Sequence, residues 1–430
     1  MSKIDVLLGL QWGDEGKGKV VDYLTPKYDI IVRFNGGPNA GHTIEFEGEK
    51  HILKTIPSGI CHKDKLCIIS NGVLIEPSIF MTEIKTLENC GFTPKNNLII
   101  SRKAHLIIPT HRLMDAANEK SKGDRKIGST LKGIGPSYTD KIARTGLRIG
   151  DIFSKEFQKK YNTLKNSHIR SIKALGYDVD EFKIENKSIE EYESLWFSAL
   201  DELKNMKIAD TEYLINEAIL ADKKILAEGA QGTMLDIDFG SYPFVTSSTT
   251  ITAGVCSGLG VAPQTIGKVF GIVKAYCTRV GSGPFPTELF DEYGNKLCEQ
   301  GHEFGSVTGR KRRCGWLDIP ALKYACMING VTDLMLMKID VMDNFDTIKI
   351  CTEYEIGDER SEHLPYTMEE KIIPIYKEYE GWNRDVTKAK SFEELPKQMQ
   401  DYIKNIEQMS GVRVSMISVS PDREDTIIRN

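Results

Sequence analysis

Short apolar runs recur along the chain, and most are followed by glycines or by a segment with helical spacing. The first, IDVLLGL (Ile4 to Leu10), reads as a buried strand, and KVVDYL, after the next glycines, places Val20, Val21 and Leu24 on one face of a helix. A second run, DIIVRF (Asp29 to Phe34), leads into another glycine-rich stretch; beyond it TIEFEGEKHIL alternates about Glu47-Gly48-Glu49 as a hairpin does. KLCIIS, NLIIS, KKILAEG, VFGIVKAY, DLMLMKID and VSMISVS are further strand-like runs. Helical patterns separate several of them, such as EPSIFMTEIKTLENCG, where Gly91 suits a C-cap. Ser391 and Glu394 have capping-box spacing ahead of another helix. Repeated strand–helix alternation predicts an α/β fold with a mainly parallel central sheet. By periodicity, residues 154–222 are mostly helical and polar-faced and read as an appended helical lobe. With no internal repeat or proline-rich linker, residues 1–430 read as one large elaborated domain that contains this lobe.

Composition narrows the function classes. The chain has 430 residues, 40% hydrophobic and 27% charged, which is a globular composition with room for a large core. A formal net charge of −5 disfavours a general polyanion binder, so no nucleic-acid partner is expected. Nine cysteines lie scattered without a C-x-x-C pair, which argues against zinc and disulfides and suits a reducing, cytoplasmic setting. The start, MSKIDVLLGLQWGDEG, does not read as a signal peptide. No stretch approaches the roughly 20 apolar residues of a membrane span, so no membrane association is expected.

The candidate chemistry begins at WGDEGKGKV (Trp12 to Val20), between the first strand and the first helix. It fits the phosphate-cradling pattern G-x-x-x-x-G-K-[ST] at Gly13, Gly18 and Lys19 but ends on Val20. A nest of backbone N–H groups at a helix N-terminus attracts phosphate, and Lys17 and Lys19 add positive charge. A solvated turn of small and charged residues is the competing reading, which the strand–loop–helix context disfavours. Valine cannot hold magnesium. Asp14, inside the loop, offers the oxygen ligand that a hard cation takes, or a base.

NGGPNAGHT (Asn35 to Thr43) sets His42 after glycines that let backbone approach a ligand, and histidine can give or take a proton near neutral pH. GRKRR holds the densest basic run, Arg310 to Arg313; in an acidic chain it suits a small dianion, since arginine grips carboxylates with paired hydrogen bonds. MKID (Met337 to Asp340) is similar to the guanine-reading N-K-x-D, with methionine in the first place; a strand-end salt-bridge pair is the plainer alternative.

QWGDEGKGK and NGGPNAGHT together resemble the adenylosuccinate synthetase family. The resemblance continues in GIGPSYTDKIARTGLRIGD, AEGAQGTMLDIDFGSYPFVTSS, GPFPTEL and EFGSVTGRKRRCGWLD and ends with KID and SPDR, so it spans nearly the whole chain in family order. It implies a P-loop NTPase-related α/β fold with helical additions, and GTP-driven ligation of IMP and L-aspartate with one magnesium per subunit. Asp14 is then the catalytic base and a metal ligand, the carbonyl of Gly41 a second metal ligand, and His42 the general acid. GTP contacts fall on Gly13, Asp14, Glu15, Gly16, Lys17, Gly18, Lys19, Gly41, His42, Thr43, Arg312, Lys338, Ile339, Asp340, Ser418, Val419 and Ser420. IMP contacts fall on Asp14, Asn39, Ala40, Gly41, His42, Thr130, Gln231, Thr246 and Arg310, and on Arg144 reaching across a homodimer interface. The aspartate substrate falls to Ser306, Val307, Thr308, Gly309, Arg310, Lys311 and Arg312. The chain departs from the family pattern at Val307, Met337 and Ser420. A GTPase switch shares the phosphate loop and the K-x-D but has no use for a dicarboxylate loop or a second nucleotide site.

Overall fold

The computed structural model describes residues 3–46, 49–305, 309, 311–368 and 371–429. Strand β1 (Ile4–Gly9) explains why an unbroken apolar run is needed: Ile4, Val6 and Leu8 enter the core on one face of the sheet and Leu7 the core on the other. Strands covered on both faces lose the polar alternation of a half-exposed sheet. The neighbouring run behaves alike, with Ile30 and Val32 on one side and Ile31 on the other.

The remaining strands of the central sheet are β2 (Ile30–Arg33), β3 (Leu66–Ile69), β4 (Leu98–Ser101), β5 (Lys207–Ala209), β6 (Ile225–Gly232), β7 (Ile266–Lys274), β8 (Asp333–Met337), β9 (Val414–Ser418) and β10 (Thr426–Ile428). Their ten-stranded order is β10-β9-β8-β7-β1-β6-β2-β3-β4-β5. Every neighbouring pair is parallel except β9 with β10. The α/β sheet expected from the apolar runs is thus present.

Three expectations need adjustment in detail. The helical segment carries helices Phe157–Ala174, Ile189–Leu203 and Thr211–Leu220, but its connection Lys207–Ala209 is edge strand β5 of the main sheet. Trp196 is wholly buried in the core that covers one face of the sheet, with Nε1 donating to the Ile107 carbonyl at 2.9 Å, whereas Ile172, Ile184, Ile189 and Tyr192 pack with Leu113 and Ala117 in a core of their own. A three-residue strand is too short to show a period. Ser391 and Glu394 frame only a 3₁₀ turn, Phe392–Glu394; the helix proper, Lys397–Ser410, starts after Pro396. The smaller sheet formed by Leu317–Asp318, Thr347–Ile356, Glu359–Ser361 and Ile372–Glu380 has no counterpart among the anticipated runs. The hairpin is present as His42–Phe46 paired with Glu49–Leu53, and its turn residues Glu47 and Gly48 lie outside the described residues.

Candidate active site

The loops that leave the carboxyl ends of β1, β2, β6, β8 and β9 open onto one cavity of about 1000 Å³. That is where open α/β sheets place their ligands. Gly13, Asp14, Gly16, Lys17, Gly18, Lys19, Asn39, Ala40, Gly41, His42, Thr43, Thr130, Gln231, Thr246, Arg312, Lys338, Asp340, Ser418 and Ser420 all line it.

The glycine loop is held from beneath. Glu15 is fully buried; its carboxylate accepts from the N–H groups of Gln11 (3.1 Å) and Gly13 (2.9 Å) and from the Lys17 ammonium (2.5 Å). A Cβ on Gly9 or Gly232 would fall 2.3 or 2.5 Å from that carboxylate, so both glycines make its room. The Glu15 side chain therefore shapes the loop and does not face the cavity. Gly16 (φ 88°) caps helix α1 (Lys17–Leu24), whose first turn has no acidic residue and no side-chain cap, leaving its N–H groups free for an anion. Val20 is buried in the core. The methyl end of Met337 lies against Gly16, 3.3 Å from where a Cβ would stand, so the departure from asparagine places an apolar contact under the loop.

Asp14 adopts a left-handed φ of 59°, which turns its carboxylate into the cavity. Its Oδ2 accepts from Arg312 Nε at 2.8 Å, and Arg312 Nη1 reaches Glu303 at 2.5 Å. Glu303 is a buried hub not foreseen in the sequence. It also accepts from Lys274 (2.9 Å), Lys338 (3.0 Å) and the Tyr276 hydroxyl (2.5 Å). Burial presses its pKa upward, but Lys274, Lys338 and Arg312 together hold it well below the usual carboxylate range.

His42 is 5% exposed, and its Nδ1 lies 2.5 Å from Glu228, whose other partners are the Ser58 hydroxyl (2.7 Å) and Ser58 N–H (2.8 Å). His42 Nε2 is buried and meets no partner in the protein. Burial, with Arg33 and Lys17 nearby, lowers the His42 pKa to about 4 against the pull of Glu228. Burial works against the Glu228 carboxylate too, yet the His42 and Ser58 hydrogen bonds and Arg33 keep it at about 2. With its pKa so lowered the ring is neutral near pH 7, and Nδ1 is the nitrogen that faces Glu228. A triphosphate beside Nε2 would favour the imidazolium, which Glu228 then stabilises. Glu228 stands within β6, in AEGAQGT, where nothing in the sequence marked it.

Gln231 also holds a left-handed φ, 60°; its Nε2 is buried without a partner, as is Asn39 Oδ1. Strained backbone and unmet polar atoms at one cavity mark a place built for a ligand. Arg279, buried, binds the carbonyls of Ser282, Pro284 and Phe244 and so fixes the turn leading to Thr246.

At the other end, Lys338 donates to the Gly301 carbonyl at 2.6 Å, and burial raises the pKa of Asp340. Lys19 does not point back along the phosphate loop. Its ammonium donates to the Ser418 hydroxyl and the Ser420 carbonyl, both at 2.7 Å. The Ser420 hydroxyl turns to Asp425 at 2.7 Å, so the added side chain is satisfied inside its own loop.

Ile339 and Val419 are buried in the core, and Gly309 and Lys311 are exposed away from the cavity wall. Arg144 is exposed outside the cavity, in left-handed conformation (φ 65°) at the C-terminus of helix Ile134–Ala143. That helix is anchored by Asp140, which accepts from His111 and His168, each at 2.8 Å. Ser306, Val307, Thr308 and Arg310 lie outside the described residues.

Known proteins match along the whole chain. The sequence profile described as adenylosuccinate synthetase matches residues 6–427. Adenylosuccinate synthetases of Bacteroides fragilis (57% identity over 427 residues, 99% of each chain) and Porphyromonas gingivalis (57% over 429 residues, 100% of each) are similar to it. So is the structure of a fully ligated adenylosuccinate synthetase from Plasmodium falciparum, at 37% identity and a TM-score of 0.92 over 100% of both chains. By profile, by sequence and by fold, the chain belongs to the adenylosuccinate synthetase family.

Proposed function

We infer that the chain is a GTP-driven ligase that joins IMP and L-aspartate into adenylosuccinate, with release of GDP and phosphate, in AMP biosynthesis. The observation that carries this is the convergence of Asp14, the His42–Glu228 pair and Asp340 on one cavity. Asp14 takes the N1 proton of IMP, which makes O6 a nucleophile toward the γ-phosphate. His42 steadies the transferring phosphoryl group as acid, and Lys17 and the N–H groups of α1 hold the remaining phosphates. The oxygen at C6, now phosphorylated, leaves when the amine of aspartate attacks. The Ser306–Arg312 segment grips the dicarboxylate.

The cavity suits magnesium: Asp14 brings a carboxylate beside the glycine loop, and Gly41 lines the same wall. These two would hold the ion, which neutralises charge on the transferring phosphate. The chain works as one unit over residues 1–430, in the cytoplasm; among the described residues no helix is long and apolar enough to cross a membrane.

An ultraviolet assay tests the reading. An absorbance change that requires GTP, IMP and aspartate together supports ligation. Phosphate release from GTP alone would point to a hydrolytic switch, which a second nucleotide site does not favour.

Asp340→Asn should change nucleotide choice. The carboxylate accepts two guanine donors, whereas asparagine opposes one of them and suits the C2 carbonyl of xanthine. The loss for GTP should be about 1.5–3 kcal/mol. An unchanged ratio of kcat/KM for GTP and XTP would remove Asp340 from base reading.

Arg144 completes the IMP site of a neighbouring subunit in a homodimer. Its exposure at a braced helix end supports this, and arginine forks readily onto phosphate. Arg144→Ala should weaken IMP binding and spare GTP. Mixed with inactive Asp14→Asn, it should recover part of the activity, because one site of the mixed dimer has both residues intact. No recovery despite subunit exchange would overturn the shared site.

A further inference from the structure

One stretch of the cavity wall is shaped by polar contacts rather than by burial. Residues 127–133 carry Thr130 to the cavity and pass through three left-handed positions, Gly128 (φ 86°), Leu131 (φ 54°) and Gly133 (φ 77°). Leu131 is 44% exposed and Thr130 is exposed, so apolar packing does not fix this path. A leucine at positive φ is strained and persists only where its surroundings impose it.

What imposes it is one face of the helix Pro109–Ser121. Arg112, Asp115 and Glu119 stand three and four residues apart and project from the same side, while Leu113 and Ala117 pack into a core on the other. Glu119 Oε2 accepts from the N–H groups of Gly128 (2.9 Å) and Ser129 (3.2 Å). Asp115 Oδ1 accepts from the Ser129 hydroxyl (2.7 Å), and its Oδ2 accepts from the Gly133 N–H (2.9 Å). The Ser129 oxygen in turn accepts from the Leu131 N–H at 3.2 Å, and Arg112 Nε donates to the Leu131 carbonyl at 3.3 Å. The residues on both sides of Thr130 are thus tied to the helix, whereas Thr130 itself makes no hydrogen bond among the described residues. Lys122 takes the remaining Glu119 oxygen at 3.1 Å, so every oxygen of the two carboxylates is engaged. Both acids line the cavity, yet they act as fasteners of the loop and not as bases or metal ligands.

We propose that Asp115 and Glu119 are positioning residues for IMP, which hold residues 127–133 in the conformation that presents Thr130 before the nucleotide arrives. The inference rests on the reading of Thr130 as an IMP contact. Ordering a loop ahead of binding removes an entropic cost from association. Loss of the clamp should therefore appear in the affinity for IMP and not in that for the guanine nucleotide.

Calorimetric titration of the full chain with IMP and, separately, with GDP and magnesium tests this. Asp115→Ala should weaken IMP binding at least about tenfold and leave GDP within about twofold. Asp115→Asn should keep most of the affinity, because asparagine can accept from Gly133 and donate to the Ser129 oxygen. Ser129→Ala, a change outside the helix, should cost IMP severalfold and serves if Asp115→Ala does not fold. The deciding comparison is a double-mutant cycle with Thr130→Val. A clamp that acts through Thr130 has little left to lose once that hydroxyl is gone, so the double variant should bind IMP within about twofold of Thr130→Val alone. A residue that only stabilises the fold would add its full loss in both backgrounds and weaken GDP as well. Losses that add, or IMP affinity unmoved by Asp115→Ala, would overturn the clamp while the IMP site stands. A wild-type chain that binds GDP but not IMP would refute the reading on which the clamp rests.

Discussion

Asp14→Asn is expected to abolish formation of adenylosuccinate. Asparagine is nearly the same size and tolerates the left-handed φ of 59° at this position, so the loop keeps its path. Arg312 keeps its partner Glu303, and the Glu15 carboxylate beneath the loop is untouched. What disappears is the charge and the proton acceptor. Loss of a general base alone costs about 10²–10⁴ in rate. Loss of the carboxylate that we propose holds magnesium adds to this, so turnover should fall below detection in an initial-rate assay. Near-normal turnover in a folded variant would show that the N1 proton leaves by another route.

Glu228→Gln should produce the second-largest effect, and through a different term. Glutamine fills the same space and its carbonyl still accepts from Ser58. Its amide, however, donates to His42 Nδ1, which forces the proton to Nε2 and removes the negative charge that sustains an imidazolium. A neutral ring is a far weaker acid, so kcat should drop by about 10²–10⁴. The Michaelis constants should change little, because the His42 ring still stands in the cavity. Arg33, fully buried 3.5 Å from Glu228, loses its counter-charge, so thermal stability should fall as well. Breaking a buried pair this way typically costs about 3–5 kcal/mol. A kcat within threefold of wild type, with KM for IMP and GTP unchanged, would make Glu228 a structural residue only.

Both predictions rest on residues of different legibility. Asp14 was visible because a carboxylate inside a phosphate loop has no ordinary use, and His42 because glycines surround it. Glu228 and Glu303 were not. Glu228 sits in mid-strand and Glu303 in a loop, and each matters only through partners far away in the chain. Glu228 reaches back to His42 and Ser58, and Glu303 to Lys274, Lys338 and Arg312. Lys19 shows the converse. Its place in the motif suggested a phosphate contact, yet its ammonium binds Ser418 and Ser420, nearly four hundred residues on.

By itself the sequence determined the strands and the glycine loops, because a strand covered on both faces must be apolar throughout and a phosphate loop needs glycine at set intervals. Those are local requirements, written in neighbouring residues. Only the tertiary structure decided that β5 closes the sheet edge, that Glu15 turns inward, and that Glu228 rather than solvent faces His42. It also gathered Lys141, Arg148 and His105 around one chamber. Such arrangements depend on which distant side chains share a desolvated space, where one opposite charge outweighs any local preference.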